Sequence, residues 1–202
     1  MAVIFLIPIL SFSQNIKLED NDIDLTTAFY NIDDHFLSSF TNNYGLNHIV
    51  SIAGTYGMVN GGVDWAYYDF MRDNKAIPRA GFSSVIVGGL VPLIVPAGGY
   101  LYGEASDNKE LQLTSLALGQ AGIISYFVTS GYKALTGRNG PETLDDDGKM
   151  EDYSTDFKFG IFTRGVFDGW PSGHTTTAVA MATTLTKLYP ENSWIKYSAI
   201  AY

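Results

Sequence analysis

The sequence predicts an all-α protein, one helical domain from about residue 20 onward, and three features carry that prediction. Residues 81–103 and 111–132 contain no Asp, Glu, Lys or Arg at all. The turn Pro171-Ser172-Gly173-His174 opens directly into residues 175–188, a run of small and apolar residues rich in Thr and Ala. Between these regions, Gly, Pro and a run of acids concentrate in residues 137–170, which reads as one long loop joining two helix ends. Composition agrees: 46% of the residues are apolar and only 16% charged, with 21 Gly and 13 Tyr, as closely packed helices require.

Taken in order, residues 1–14 form an apolar run followed by small and polar residues, which resembles the core and cleavage region of an export signal without its basic start, with a buried N-terminal strand or helix as the competing reading. Residues 15–43 turn polar and acidic, and residues 44–202 hold the helical domain. Within it, residues 44–63 are charge-free and rich in Gly. Residues 64–79 are mixed in charge, and Pro78 is expected to break the helix there. Trp65, Tyr67, Tyr68 and Phe70 are expected to face the core. The two uncharged runs are each long enough to cross a bilayer, which takes roughly 20 residues. The first, however, contains Pro92 and Pro96, and the second carries seven polar residues from Gln112 to Ser130. With a near-neutral mean hydropathy, an exported, largely soluble bundle with membrane association is expected, and an integral membrane protein is the rival. Residues 193–202 begin a last helix.

Charge and cysteine content narrow the partners. A net charge of −9 argues against nucleic acid, whose phosphates demand a basic surface, but not against a small anion bound in a local field. Without cysteine, no disulfide or thiolate metal site exists. The acidic run at 142–152 fails as a calcium loop: with Gly148 sixth, Thr143 stands first and Ser154 twelfth, where a Glu is needed. No metal site is expected.

The chemistry concentrates at two places. Lys133 and Arg138 stand where a helix runs out into the loop; singly, each is explained as a cation on the helix C-terminal dipole. Ser172 is by itself an N-cap, and Gly173 and His174 open the following helix. Together they form a sharper pattern. One loop can fold Lys133, Arg138, the Ser172 hydroxyl, the Gly173 N–H and the His174 imidazole around a single oxyanion at a helix N-terminus.

Lys133 with four residues to Arg138 and two more to Pro141, followed by Pro171-Ser172-Gly173-His174, resembles the type 2 phosphatidic acid phosphatase superfamily. That superfamily also includes bacterial acid phosphatases and vanadium haloperoxidases, and the resemblance extends over roughly residues 81–202. It implies a helical bundle of that type, phosphate-ester or lipid-phosphate substrates, and a covalent phosphohistidine mechanism without metal or cofactor. Lys133 would bind a phosphoryl oxygen, Ser172 and Gly173 would stabilise the transition state, and His174 would protonate the leaving alcohol. A vanadium-dependent haloperoxidase-like protein and an inactive phosphate-binding relic of the fold are the alternatives.

Two departures from the pattern are visible. Gly140-Pro141 stands where the family has Arg-Pro, so Arg138 or Arg164 is expected to supply the missing contact. No histidine follows His174, so the family's third block, with the nucleophile, has no counterpart, and His35 and His48 lie in unrelated contexts. With its apolar end at Ile200–Tyr202, the chain is expected to be a fragment whose C-terminal part is missing. Charge reversal at Arg138 or Arg164 is expected to abolish vanadate binding; unchanged affinity in a titration removes that arginine from the site.

Overall fold

The computed structural model describes residues 23–41, 44–74, 76–138, 157, 159–160, 166–167 and 169–201. The signal-like segment 1–14, the acidic run 142–152, Gly140-Pro141 and Arg164 lie outside the described residues. A 3-10 helix, Leu25–Phe29, leads into seven α-helices: α1 Ile32–Ser38, α2 Tyr44–Asn60, α3 Val63–Asp73, α4 Ala76–Ala105, α5 Lys109–Thr136, α6 Gly173–Leu188 and α7 Ser193–Ala201. Among the described residues there is no strand, only an isolated bridge between Arg138 and Phe157. The all-α expectation holds.

Each end has a local cause. Asp24 accepts the N–H groups of Thr26 and Thr27, and the Thr27 hydroxyl accepts the Asp24 N–H, a reciprocal cap that starts the 3-10 helix. Hydrogen bonds from the Thr26 hydroxyl, then from its N–H, hold the Asp24 carboxyl below its usual value of 3.8. Asn108 caps α5 through the Leu111 N–H, and Gly137, at φ 52°, closes it by donating to the Lys133 carbonyl. Residues 25–38, part of the expected polar region, thus form two short helices, and both pack on α5.

The centre of the fold is the triangle of α4, α5 and α6, in which each helix contacts the other two. Ala121, Ile124 and Val128 of α5 meet Ala180 of α6, with Ile32, Phe36 and Tyr132 packed against that cluster. Small side chains let the axes approach closely. On the opposite side of α5, a Cβ at Gly103 would come within 2.9 Å of the Gln112 side chain and backbone, and one at Gly99 would collide with Ser115. Several buried polar side chains of α5 find partners on neighbouring elements. Thr114 bonds Tyr189 at 2.8 Å, Ser125 donates to Thr177 at 3.1 Å, and Gln120 donates to the Tyr30 carbonyl at 2.8 Å.

Two expectations are corrected. Pro78 does not break a helix: it is the third residue of α4, in the first turn, where its missing N–H has no intrahelical partner to lose. The break falls earlier, between α3 and α4. The aromatics of α3 are not core, because Tyr67 and Phe70 are exposed, and Trp65 and Tyr68 are only partly covered while touching each other at 5.6 Å. Packing of α3 against α2 and α4 leaves its aromatic side largely open.

Pro92 and Pro96 lie inside α4 without ending it. Among the described residues, α5 alone is long and apolar enough to cross a membrane by length and composition, and 56% of its most apolar window is buried inside the bundle. A core helix meets the same criterion.

Ala180 is completely buried at the α5–α6 contact. Ala180→Leu is expected to destabilise the fold by about 1–3 kcal/mol through overpacking, measured as a shift of the denaturant midpoint.

Candidate functional site

The end of α5 and the start of α6 are joined by the long loop, and hydrogen bonds hold the returning chain against the helix it left. The Trp170 N–H donates to the Arg138 carbonyl at 3.0 Å, and the Gly160 N–H donates to the Leu135 carbonyl at 3.2 Å. The Arg138–Phe157 bridge is a further tie, and Trp170 packs edge-on to Tyr132 at 5.9 Å. Gly169 takes φ 92°, a conformation suited to glycine, immediately before the Trp-Pro-Ser-Gly-His turn.

The result is a cavity of about 910 Å³ lined by α4, α5, the returning loop and the first turn of α6. Lys133, Ser172, Gly173 and His174 all line it. Lys133 is buried in the last turn of α5, and its Nζ donates to the Phe167 carbonyl on the loop. Ser172 caps α6: its Oγ accepts the Thr175 N–H at 3.4 Å, while its carbonyl accepts the Thr176 N–H and hydroxyl. These contacts use Ser172 as an acceptor, which leaves its O–H to donate outward. The N–H groups of Gly173 and His174, in the first turn of α6, have no intrahelical acceptor and carry the positive end of the helix dipole. His174 is exposed, and its imidazole lies over Gly89 of α4, where a Cβ would come within 3.1 Å of Nε2.

The arrangement offers an ammonium, a hydroxyl, backbone donors and an imidazole around one space, which suits an oxyanion and a leaving group that needs a proton. The remaining lining is mostly apolar, with Pro92, Leu93, Ile123, Tyr126, Phe127 and Phe167 beside the polar end.

Arg138 does not line this cavity. Its Nη2 donates to Asp64 Oδ2 of α3 at 2.5 Å, and its guanidinium carbon lies 5.8 Å from the centre of the Phe157 ring. The other two histidines are also engaged elsewhere. In His48, Nε2 donates to the Ser39 carbonyl at 2.7 Å, so Nδ1 is the acceptor of the Tyr132 hydroxyl, and the ring stacks on Phe40. His35 Nδ1 lies 3.0 Å from the Gln120 amide oxygen. Sequence reasoning missed Gly89 and the apolar wall from α4. Their signal was present in the Gly-Gly and paired prolines of residues 88–96, but nothing in the chain order says that this helix faces the turn.

A family match falls on these elements, over residues 114–202, from within α5 to the end of the chain. The match is to the PAP2 superfamily. It takes in Lys133 and the Ser172-Gly173-His174 turn, and the resemblance seen in the motifs is to the same superfamily. The matched stretch begins after α4, later than the expected start at residue 81. No curated protein and no solved structure matches the chain. The match to the PAP2 superfamily over residues 114–202 supports a phosphatase-like function and phosphate-ester substrates.

His48 joins Ser39, Phe40 and Tyr132 away from the cavity lining. His48→Phe is expected to cost about 1–3 kcal/mol, because the Ser39 carbonyl and Tyr132 hydroxyl lose their partner, and to leave phosphate affinity unchanged. Thermal unfolding and a phosphate titration on the same variant check both halves.

Proposed function

We propose that the cavity is the substrate site of a phosphatase acting on lipid phosphates, with the phosphoryl group at the start of α6 and the apolar tail along α4 and α5. The observation that carries this reading is that Lys133 and the Ser172-Gly173-His174 turn, far apart in the chain, line one cavity whose remaining wall is mostly apolar. In this reading Lys133 binds a phosphoryl oxygen, and the Ser172 hydroxyl and Gly173 N–H donate to the oxygens that gain charge in the transition state. As the ester P–O bond breaks, its electron pair goes to the leaving alcohol oxygen, which takes a proton from the His174 imidazolium.

Arg138 enters as a supporting residue: its pairing with Asp64 and its carbonyl's bond from Trp170 orient the chain on both sides of the turn. A direct phosphate contact would require the guanidinium to leave Asp64. The incoming nucleophile that bonds to phosphorus is not supplied by His35 or His48, which hold structural hydrogen bonds outside the lining. In this reading Lys133, Ser172, Gly173 and His174 carry phosphate binding and leaving-group protonation.

Membrane association fits the substrate. Leu46, Ile49 and Val50 of α2 and Leu90, Leu93 and Ile94 of α4 are exposed, and α5 has the length and composition to span. With the signal-like start at 1–14, an extracytoplasmic location of the site is proposed.

Calorimetric titration with octyl phosphate and methyl phosphate tests the reading. Octyl phosphate is expected to bind at least about tenfold more tightly, since each buried methylene contributes about 0.8 kcal/mol. Lys133→Met is expected to lose about tenfold or more for both ligands. Equal affinity for the two esters would redirect the proposal to small polar substrates, and no binding of either would end it.

A further inference from the structure

Helical threonines usually return their hydroxyls to a carbonyl three or four residues back, and several here do so. Thr136 donates to Tyr132, Thr176 to Ser172, Thr184 to Ala180 and Thr186 to Thr183, at 2.8–3.0 Å. Thr129 does not. Its residue is only 4% exposed, yet its Oγ1 is buried with no hydrogen-bond partner. Thr55 of α2 shares that condition, but it lies outside the cavity. A buried hydroxyl without a partner costs about 1–3 kcal/mol, so its retention at a ligand cavity calls for a use.

Thr129 lines the cavity and stands one helical turn before Lys133, on the same face of α5. Its methyl carbon lies 4.0 Å from the position that a Cβ would take on Gly173, which puts the side chain against the first turn of α6. Threonine in a helix populates two χ1 rotamers, and here neither loses a backbone hydrogen bond, because none is made. A single χ1 rotation carries the hydroxyl into the place now held by the methyl, and the methyl into that of the Cβ hydrogen, which turns the O–H toward the space in front of Gly173.

We propose that Thr129 is a further phosphate-contacting residue, whose hydroxyl rotates to donate to an oxyanion bound between Lys133 and the first turn of α6. The proposal rests on the phosphate-site reading above and adds a donor from the middle of α5. An oxyanion there receives donors from two directions: Ser172 and Gly173 at the helix start, and Thr129 and Lys133 from the facing helix. The unpaired hydroxyl then gains its partner only when the anion arrives.

The test is titration of the 202-residue chain with inorganic phosphate, comparing Thr129→Val, which keeps the shape and removes the donor, with Thr129→Ser, which keeps the donor. The Val variant is expected to bind about tenfold more weakly, and the Ser variant about as the parent does, as for one hydrogen bond to a charged group. The melting temperature of Thr129→Val is expected to equal or exceed the parent's, since an unpaired buried hydroxyl is removed. A purely structural threonine would show the opposite: a lowered melting temperature and unchanged affinity. If the parent binds phosphate and Thr129→Val binds equally well, the Thr129 proposal is overturned while the site stands. If the parent binds no phosphate, the site reading falls and takes this proposal with it. Should the Val variant fail to fold, the pair Thr129→Ala and Thr129→Ser is compared by the same criterion.

Discussion

The site depends on the return of the loop to the helix from which it departed. The Trp170 N–H bonds the Arg138 carbonyl, the Gly160 N–H bonds the Leu135 carbonyl, and the Lys133 ammonium reaches the Phe167 carbonyl. The first two satisfy carbonyls at or just past the C-terminal end of α5, which helix geometry leaves without intrahelical partners, and the third ties the loop to the last turn of α5. They also deliver Pro171 and Ser172 to the point where α6 must start. Without them Lys133 would be a helix-end cation and Ser172 an ordinary N-cap.

Close packing of α5 on α6 is the second constraint. Ala121, Ala180 and Gly122 keep side chains small at the crossing, with the Thr177 methyl 3.9 Å from where a Gly122 Cβ would sit. Short separation lets Ser125 and Thr177 bond directly, and it sets Thr129 against Gly173. Polar residues along a buried helix are costly unless paired, so the pairs at Thr114, Gln120 and Ser125 fix which face of α5 meets which neighbour. The same rotational setting turns Thr129 and Lys133 toward the cavity. Core packing and the polar end of the site are thus two consequences of one helix orientation.

On the outer side, α4 contributes little polarity and much shape. Its Gly89 gives the His174 imidazole room to lie against the backbone, and Pro92, Leu93 and Pro96 extend the wall away from it. A phosphoryl group held at the α6 start would therefore have an apolar path beside it, bounded by Tyr126 and Phe127 of α5.

The sequence by itself determined the helices and the local chemistry. Uncharged runs at 81–103 and 111–132 became α4 and α5 with slightly wider bounds, and in α5 the caps Asn108 and Gly137 lie outside the apolar core. The Pro-Ser-Gly-His turn was legible because an N-cap and the donors of a first turn are local properties. Long-range pairing was not. Chain order offered Arg138 to the phosphate, but the fold gives its guanidinium to Asp64, a partner 74 residues away. It also commits His48 to Ser39 and Tyr132, and sets Gly89 under His174. Thr129 looks in the sequence like any helical threonine; only the packing around it shows a hydroxyl with no partner. Helical periodicity and capping act over a few residues and are written in the chain, whereas ion pairs, close approaches and cavities depend on which helix faces meet.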